Sequence, residues 1–126
     1  MMAVPVACGA LTMGTQQRRR ALVIGRLWRG WTAPGDADAY EDLLRYTVLP
    51  GLAGIDGYEG GFVLRRDEGD EVEFAVLNLF DSLDAVRAFA GDDYEVPVFE
   101  PEARRLLARG EPNARHYEVR LRAPGS

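Results

Sequence analysis

Hydrophobic and polar positions change period several times along the chain, and each change marks an element. Residues 21–32, ALVIGRLWRGWT, are β-branched and aromatic and read as a strand. Pro34 and Gly35 end it, and Asp36 stands where a helix N-cap belongs. Tyr40, Leu43, Leu44 and Thr47 then recur at helical spacing, which predicts one buried helix face; Pro50 and Gly51 are expected to stop that helix. Residues 58–80, YEGGFVLRRDEGDEVEFAVLNLF, read as a hairpin with Gly69 in its polar turn. Gly60 and Gly61 interrupt its first strand. With no flanking Lys and no P-loop pattern they predict a bulge or a close approach to backbone, not a phosphate cradle.

Residues 81–91, DSLDAVRAFAG, predict a second helix with Leu83, Val86 and Phe89 on one face, Asp81 or Ser82 as cap and Gly91 as stop. Residues 95–110 predict another helical piece. Phe99, Ala103, Leu106 and Leu107 point inward there, Gly110 ends it, and Glu100 and Arg104 lie at i,i+4 on a solvated face. ARHYEVRLR, residues 114–122, alternates and reads as the last strand.

This order is the split βαβ pattern: α+β, a ferredoxin-like βαββαβ antiparallel sheet. Right-handed crossovers put both helices on one face. Val23, Leu27 and Trp31 of the first strand, with Ala75, Leu77 and Leu79 of the third, are left on the other. Apolar area is worth ~25 cal/mol per Å² when removed from water. A bare face of this kind therefore predicts a homodimer that stacks two sheets.

At 126 residues with 47% hydrophobic content the chain suits one domain, expected over residues 21–122. The 15 basic residues, all Arg, are outnumbered by 20 acidic ones, so nucleic acid is not the expected partner. Arg18, Arg19 and Arg20 form the one basic cluster. Cys8 is the sole cysteine, which excludes an internal disulfide and suits a reducing cytoplasm. No apolar run nears the ~20 residues of a membrane span, so no membrane association is expected. MMAVPVACGALT resembles a signal peptide superficially, but its positive charges follow the apolar stretch. Residues 1–20 read as a disordered extension, with Met13 as an alternative start, and residues 123–126 as a flexible tail.

RLWRGWTAPGDADAYEDLLR, GGFVLRRDEGDEVEFAVLNLFDSLDAVRAFAG and RHYEV resemble the antibiotic biosynthesis monooxygenase superfamily. The resemblance covers Val23 to Val119. It implies a dimeric α/β barrel with one ligand cavity per protomer, between helices and sheet. Some branches oxidise phenolic polyketides with molecular oxygen and no cofactor, and another degrades haem. This sequence is most similar to a third set, small proteins with no assigned reaction. The haem pattern fails residue by residue. Its strand-one Asn corresponds to Leu27 or Trp28, its Trp to Phe80, and its ligating His falls near Phe99. A fold of many chemistries does not give the reaction.

Alternation selects the residues for a cavity. Phe74, Val76, Asn78 and Phe80 share one face of the third strand, and the family pattern puts the Phe80 position in the cavity, so Asn78 should line it too. Arg26 and Trp28 share a face of the first strand, leaving Arg29 and Trp31 for the dimer side. A buried Arg26 needs either a carboxylate such as Glu118 or an anionic ligand. His116, the only histidine, has the ordinary pKa range for taking a phenolic proton, although a lone His is commonly structural. Tyr94 and Tyr117 are further hydrogen-bonding candidates.

The leading reading is a cofactor-free monooxygenase of an aromatic or polycyclic phenol. Catalysis is assigned to His116, Arg26 and Asn78, and substrate contact to Trp28, Phe62, Phe80, Tyr94 and Phe99. The alternative is a non-catalytic small-ligand-binding or orphan α/β-barrel protein, with haem degradation third. No metal-ligand cluster is expected.

Overall fold

The computed structural model describes residues 22–125. Strand β1 (Val23–Thr32) leads through a 3₁₀ turn (Pro34–Asp36) into helix α1 (Ala37–Leu43), a π-helical turn (Leu44–Val48) and α2 (Leu49–Ala53). The hairpin β2 (Tyr58–Asp67) and β3 (Val72–Phe80) follows, then α3 (Leu83–Ala90), α4 (Pro101–Leu106), β4 (Leu107–Gly110) and β5 (Arg115–Val119). All ladders are antiparallel, in the order β2–β3–β1–β4, and β5 continues the pairing beside β1 where β4 leaves off. This is the ferredoxin-like sheet with helices on one face that the sequence predicts. The readings for residues 1–20 lie outside the described residues.

Burial alternates strictly along β3: Val72, Phe74, Val76, Asn78 and Phe80 are buried under the helices, and the residues between them are half-buried. Two apolar clusters form there. Ala37, Tyr40 and Leu44 pack on Val72, Phe74 and Val76, closed by Ala103 and Leu106 of α4. Ile24 and Phe80 pack with Leu52, Ala85 and Val86. Arg65 of β2 ties α1 down from outside, its guanidinium 2.8 Å from both Asp38 and Glu41.

Several expected boundaries move. The first helical rod runs past Pro50 and Gly51 to Ala53. A proline ring normally strikes the carbonyl four residues back, and the widened turn at Leu44–Val48 relieves that clash. The extra residue in that turn rotates the inward face, so Val48 packs inward and Thr47 is exposed. Asp36 occupies the cap position without a side-chain capping bond. On α3 the buried pair is Ala85 and Val86, with Leu83 left exposed; Ser82 Oγ is the cap, accepting from the Ala85 N–H at 3.1 Å. Leu107–Gly110 is strand, not helix, because the end of β1 at Gly30–Thr32 needs backbone partners. Arg104 lies over the Phe99 ring, and Glu102 pairs with Arg105. Gly60 does mark a bulge in β2, with positive φ and a register shift after Tyr58.

Candidate functional site

The two apolar clusters are separated by one polar row that crosses four strands. Asn78 of β3 stands opposite Arg26 of β1, His116 of β5 stands opposite Arg26 on the other side, and Gly61 of β2 stands opposite Asn78. The even-numbered positions of β1 and β3 face the helices, so Arg26 and Asn78 are each only 5% exposed. The three residues read from sequence as catalytic are therefore neighbours in space.

The Arg26 guanidinium donates to the carbonyls of Tyr94 and Val96, the latter at 3.2 Å, and to His116 Nε2 at 3.0 Å. Phe89 lies against its face, 5.5 Å away. Among the described residues it has no carboxylate partner; Glu118, the structural candidate, pairs with Arg120 instead. Burial lowers the Arg26 pKa to about 10, so the charge persists at neutral pH and is offset only by dipoles. A guanidinium cannot accept, so His116 Nε2 accepts, and the imidazole is neutral. Its pKa is held below the ordinary value by burial first and the Arg26 charge second, with Glu95 opposing.

Asn78 Oδ1 accepts from the Tyr58 hydroxyl at 2.9 Å. Burial raises the Tyr58 pKa, which keeps that proton in place. Among the described residues the amide NH₂ has no hydrogen-bond partner, and the side chain lines the cavity. Gly61 makes room for this pair: a Cβ there would sit 2.3 Å from Asn78 Oδ1 and 2.6 Å from the Leu77 carbonyl.

Above the row lies a cavity walled by Trp28, Leu44, Leu52, Val76 and Phe89, with Pro97–Glu100 at its mouth. Trp28 lies flat over Gly30 and Gly110, where a Cβ would come within 2.3 and 2.4 Å of the ring. Its indole N–H donates to the Glu111 carbonyl at 2.7 Å, and Phe99 packs on it edge-on. Tyr40 closes one side, its pKa pushed up to about 12 by burial. The free volume is about 60 Å³. Benzene occupies cavities of roughly 150 Å³, so an aromatic ring enters only if the mouth moves.

Of the predicted contact residues, Trp28 and Phe99 line this cavity. Phe80 does not; it is fully buried beneath α3 and α2, with Phe89 stacked between it and the site. Phe62 lies on the opposite sheet face and is 58% exposed, because the unbroken hairpin register from Asp67 and Val72 pairs it with Leu77, an open-face residue of β3. Tyr94 contributes its carbonyl, and its ring packs on His116 outside the cavity. Tyr117 is also on the open face. Arg29 and Trp31 take the open side, as expected. Trp31 is buried there beneath Arg109, and Arg29 is bound to Glu111 at 2.8 Å. Tyr58, Phe89 and Leu52 were not legible as site residues. Tyr58 carried one usable signal, its place beside two glycines opposite a buried Asn.

No family model and no curated protein matches the chain. Solved structures do. A Bacillus cereus protein provisionally described as an antibiotic biosynthesis monooxygenase superposes with a TM-score of 0.58 at 12% identity, over 82% of this chain and 99% of that one. SnoaB, a cofactor-independent oxygenase from Streptomyces nogalater, gives 0.52 at 19% identity, over 82% and 97%. The fold is that of the antibiotic biosynthesis monooxygenases. A Nitrosomonas europaea protein of unknown function shares this monooxygenase fold, with 0.61 at 21% identity over 85% and 99%. Among the described residues no group of three or more His, Cys, Asp and Glu is arranged to hold a metal, and no helix is long and apolar enough to cross a membrane.

Proposed function

We propose that the protein is a cytoplasmic, homodimeric, cofactor-independent monooxygenase that oxidises an electron-rich aromatic phenol with molecular oxygen. One observation carries this reading: a buried guanidinium, without a carboxylate partner among the described residues, stands beside an amide NH₂ in a cavity whose other walls are mainly apolar, with Tyr40 at one side and Glu100 at the mouth. Such donors, desolvated and fixed in place, stabilise an oxyanion. SnoaB, on the same fold, is a cofactor-independent oxygenase.

Triplet oxygen does not accept an electron pair directly, but an aromatic oxyanion passes it one electron. The two radicals join at carbon, and the resulting hydroperoxide loses water. A ring CH₂ and O₂ thus become C=O and H₂O. Arg26 and Asn78 hold the oxyanion, and Trp28, Phe89 and Phe99 exclude water from the ring. His116, expected to take the substrate's proton, has its Nε2 occupied by Arg26 and lies outside the cavity, so we assign it to positioning the guanidinium. The proton leaves to water at the mouth beside Glu100.

The test is oxygen uptake by the purified protein with the anthrone dithranol. Uptake with quinone formation, lost in Arg26→Met and Asn78→Ala that remain folded, supports the enzyme. The small free volume favours a second reading, a non-catalytic binding protein. Binding of dithranol without oxygen uptake would establish that one.

A further inference from the structure

Residues 91–100 join α3 to α4 without regular structure, and the end of this segment, Pro97–Glu100, lines the cavity. Its two ends are anchored by apolar packing, Phe99 on Trp28 and Tyr94 on the Ile24–Phe80 cluster and His116. Between them the ties are polar: Arg26 donates to the Tyr94 and Val96 carbonyls, and the Ala114 N–H donates to the Glu95 carbonyl at 2.7 Å. Val96 and Val98 are about half exposed, so in that middle stretch apolar burial adds little.

Arg26 thus has two tasks for one set of N–H groups. The groups that face a ligand from the cavity wall are the groups that clasp the segment over the mouth. The guanidinium's bonds to these carbonyls are already charge-assisted, but an anion adds a full opposite charge and can accept two parallel N–H groups, so a carboxylate or phenolate outcompetes a carbonyl dipole for the guanidinium. The present free volume does not admit an aromatic ring. Entry and release of the clasp are therefore the same event.

We propose that Arg26 is the latch of a lid formed by residues 91–100, and that an aromatic ligand bearing an anionic group opens the lid by taking the guanidinium from the Tyr94 and Val96 carbonyls. The ligand half rests on the anion-binding role proposed for Arg26; the latch half stands without it. The device selects for charge as well as shape, since a neutral ring of equal size cannot release the clasp.

Hydrogen exchange of the backbone amides tests both halves without turnover. In Arg26→Met, the Val96 amide, which donates to the Asp93 carbonyl, and the Ala114 amide, which donates to the Glu95 carbonyl, should exchange about tenfold faster than in the wild type, with β3 unchanged as the control for folding. Arg26→Lys keeps the charge but cannot span both carbonyls, and serves should Arg26→Met not fold; it should loosen the same amides. In the wild type, 2-naphthoate should speed exchange at Val96 and Ala114, and 2-naphthamide should not. A folded variant whose lid stays as protected as the wild type overturns the latch. Equal responses to the two naphthyl probes, or none to either, overturn the ligand half. Failure of dithranol oxidation alone touches neither.

Discussion

Asn78 and Arg26 face each other across the β1–β3 ladder, and each is oriented by a residue far away in sequence. The Tyr58 hydroxyl fixes the amide, and the Tyr94 and Val96 carbonyls fix the guanidinium. Replacing Asn78 by Asp would give Arg26 the carboxylate it lacks. The new pair neutralises the site, so Asn78→Asp should weaken 2-naphthoate binding by about tenfold or more without lowering Tm. Calorimetric titration and thermal denaturation measure the two effects.

Gly61 lies under that pair against backbone that cannot yield. Gly61→Ala should cost about 2 kcal/mol or more, since its methyl would meet the Leu77 carbonyl at 2.6 Å. Gly35→Ala, into open space, should change stability by less than about 0.5 kcal/mol. Urea denaturation of the two variants gives the comparison.

His116 makes stability depend on pH with a definite sign. Its folded pKa is lowered from 6.5, so the unfolded chain binds the proton more readily. Its contribution is complete above pH 6.5 and declines as the pH falls from there through the folded pKa. His116→Gln keeps an acceptor for Arg26 but does not titrate. Its Tm should change less than that of the wild type between pH 7.5 and 5, and equal slopes would remove His116 from the account.

Thr32 is fully buried, and its hydroxyl has no hydrogen-bond partner. Valine has nearly the same shape and no hydroxyl to desolvate. Thr32→Val should therefore stabilise by about 1 kcal/mol, read as a rise in the urea midpoint at constant m.

Phe62 and Leu64 stand 58% and 55% exposed on the open sheet face, beside Leu77 and Ala75. If two sheets stack there, as proposed, a charge at the centre is costly. The wild type should sediment as a dimer and Phe62→Glu as a folded monomer. A monomeric wild type at micromolar concentration contradicts the dimer.

The parts of the site that alternation reaches were legible. Arg26, Trp28 and Asn78 fall on the cavity side because each strand is half-covered and its period is two. Phe62 was misplaced because its face is set by the hairpin register, which pairs it with Leu77, and the polar turn DEGDE does not say which residues on its two sides pair. Proline was read as a stop at Pro50 because a wider turn ahead of it leaves no compositional mark. Residues 95–100 were read as the start of a helix that begins only at Pro101, so the carbonyls of Tyr94 and Val96 on Arg26 could not be foreseen. Phe99 was placed inward only by its spacing from α4.

The outer partner of β1 comes in two short pieces, β4 and β5, parted by residues 111–114. That break has a consequence for crowding. A foreign strand laid along this rim would find an interrupted row of amides, and on the far rim it would meet the kinked start of β2 and the charges of Arg65 and Arg66. Both margins are poor templates for fibril growth.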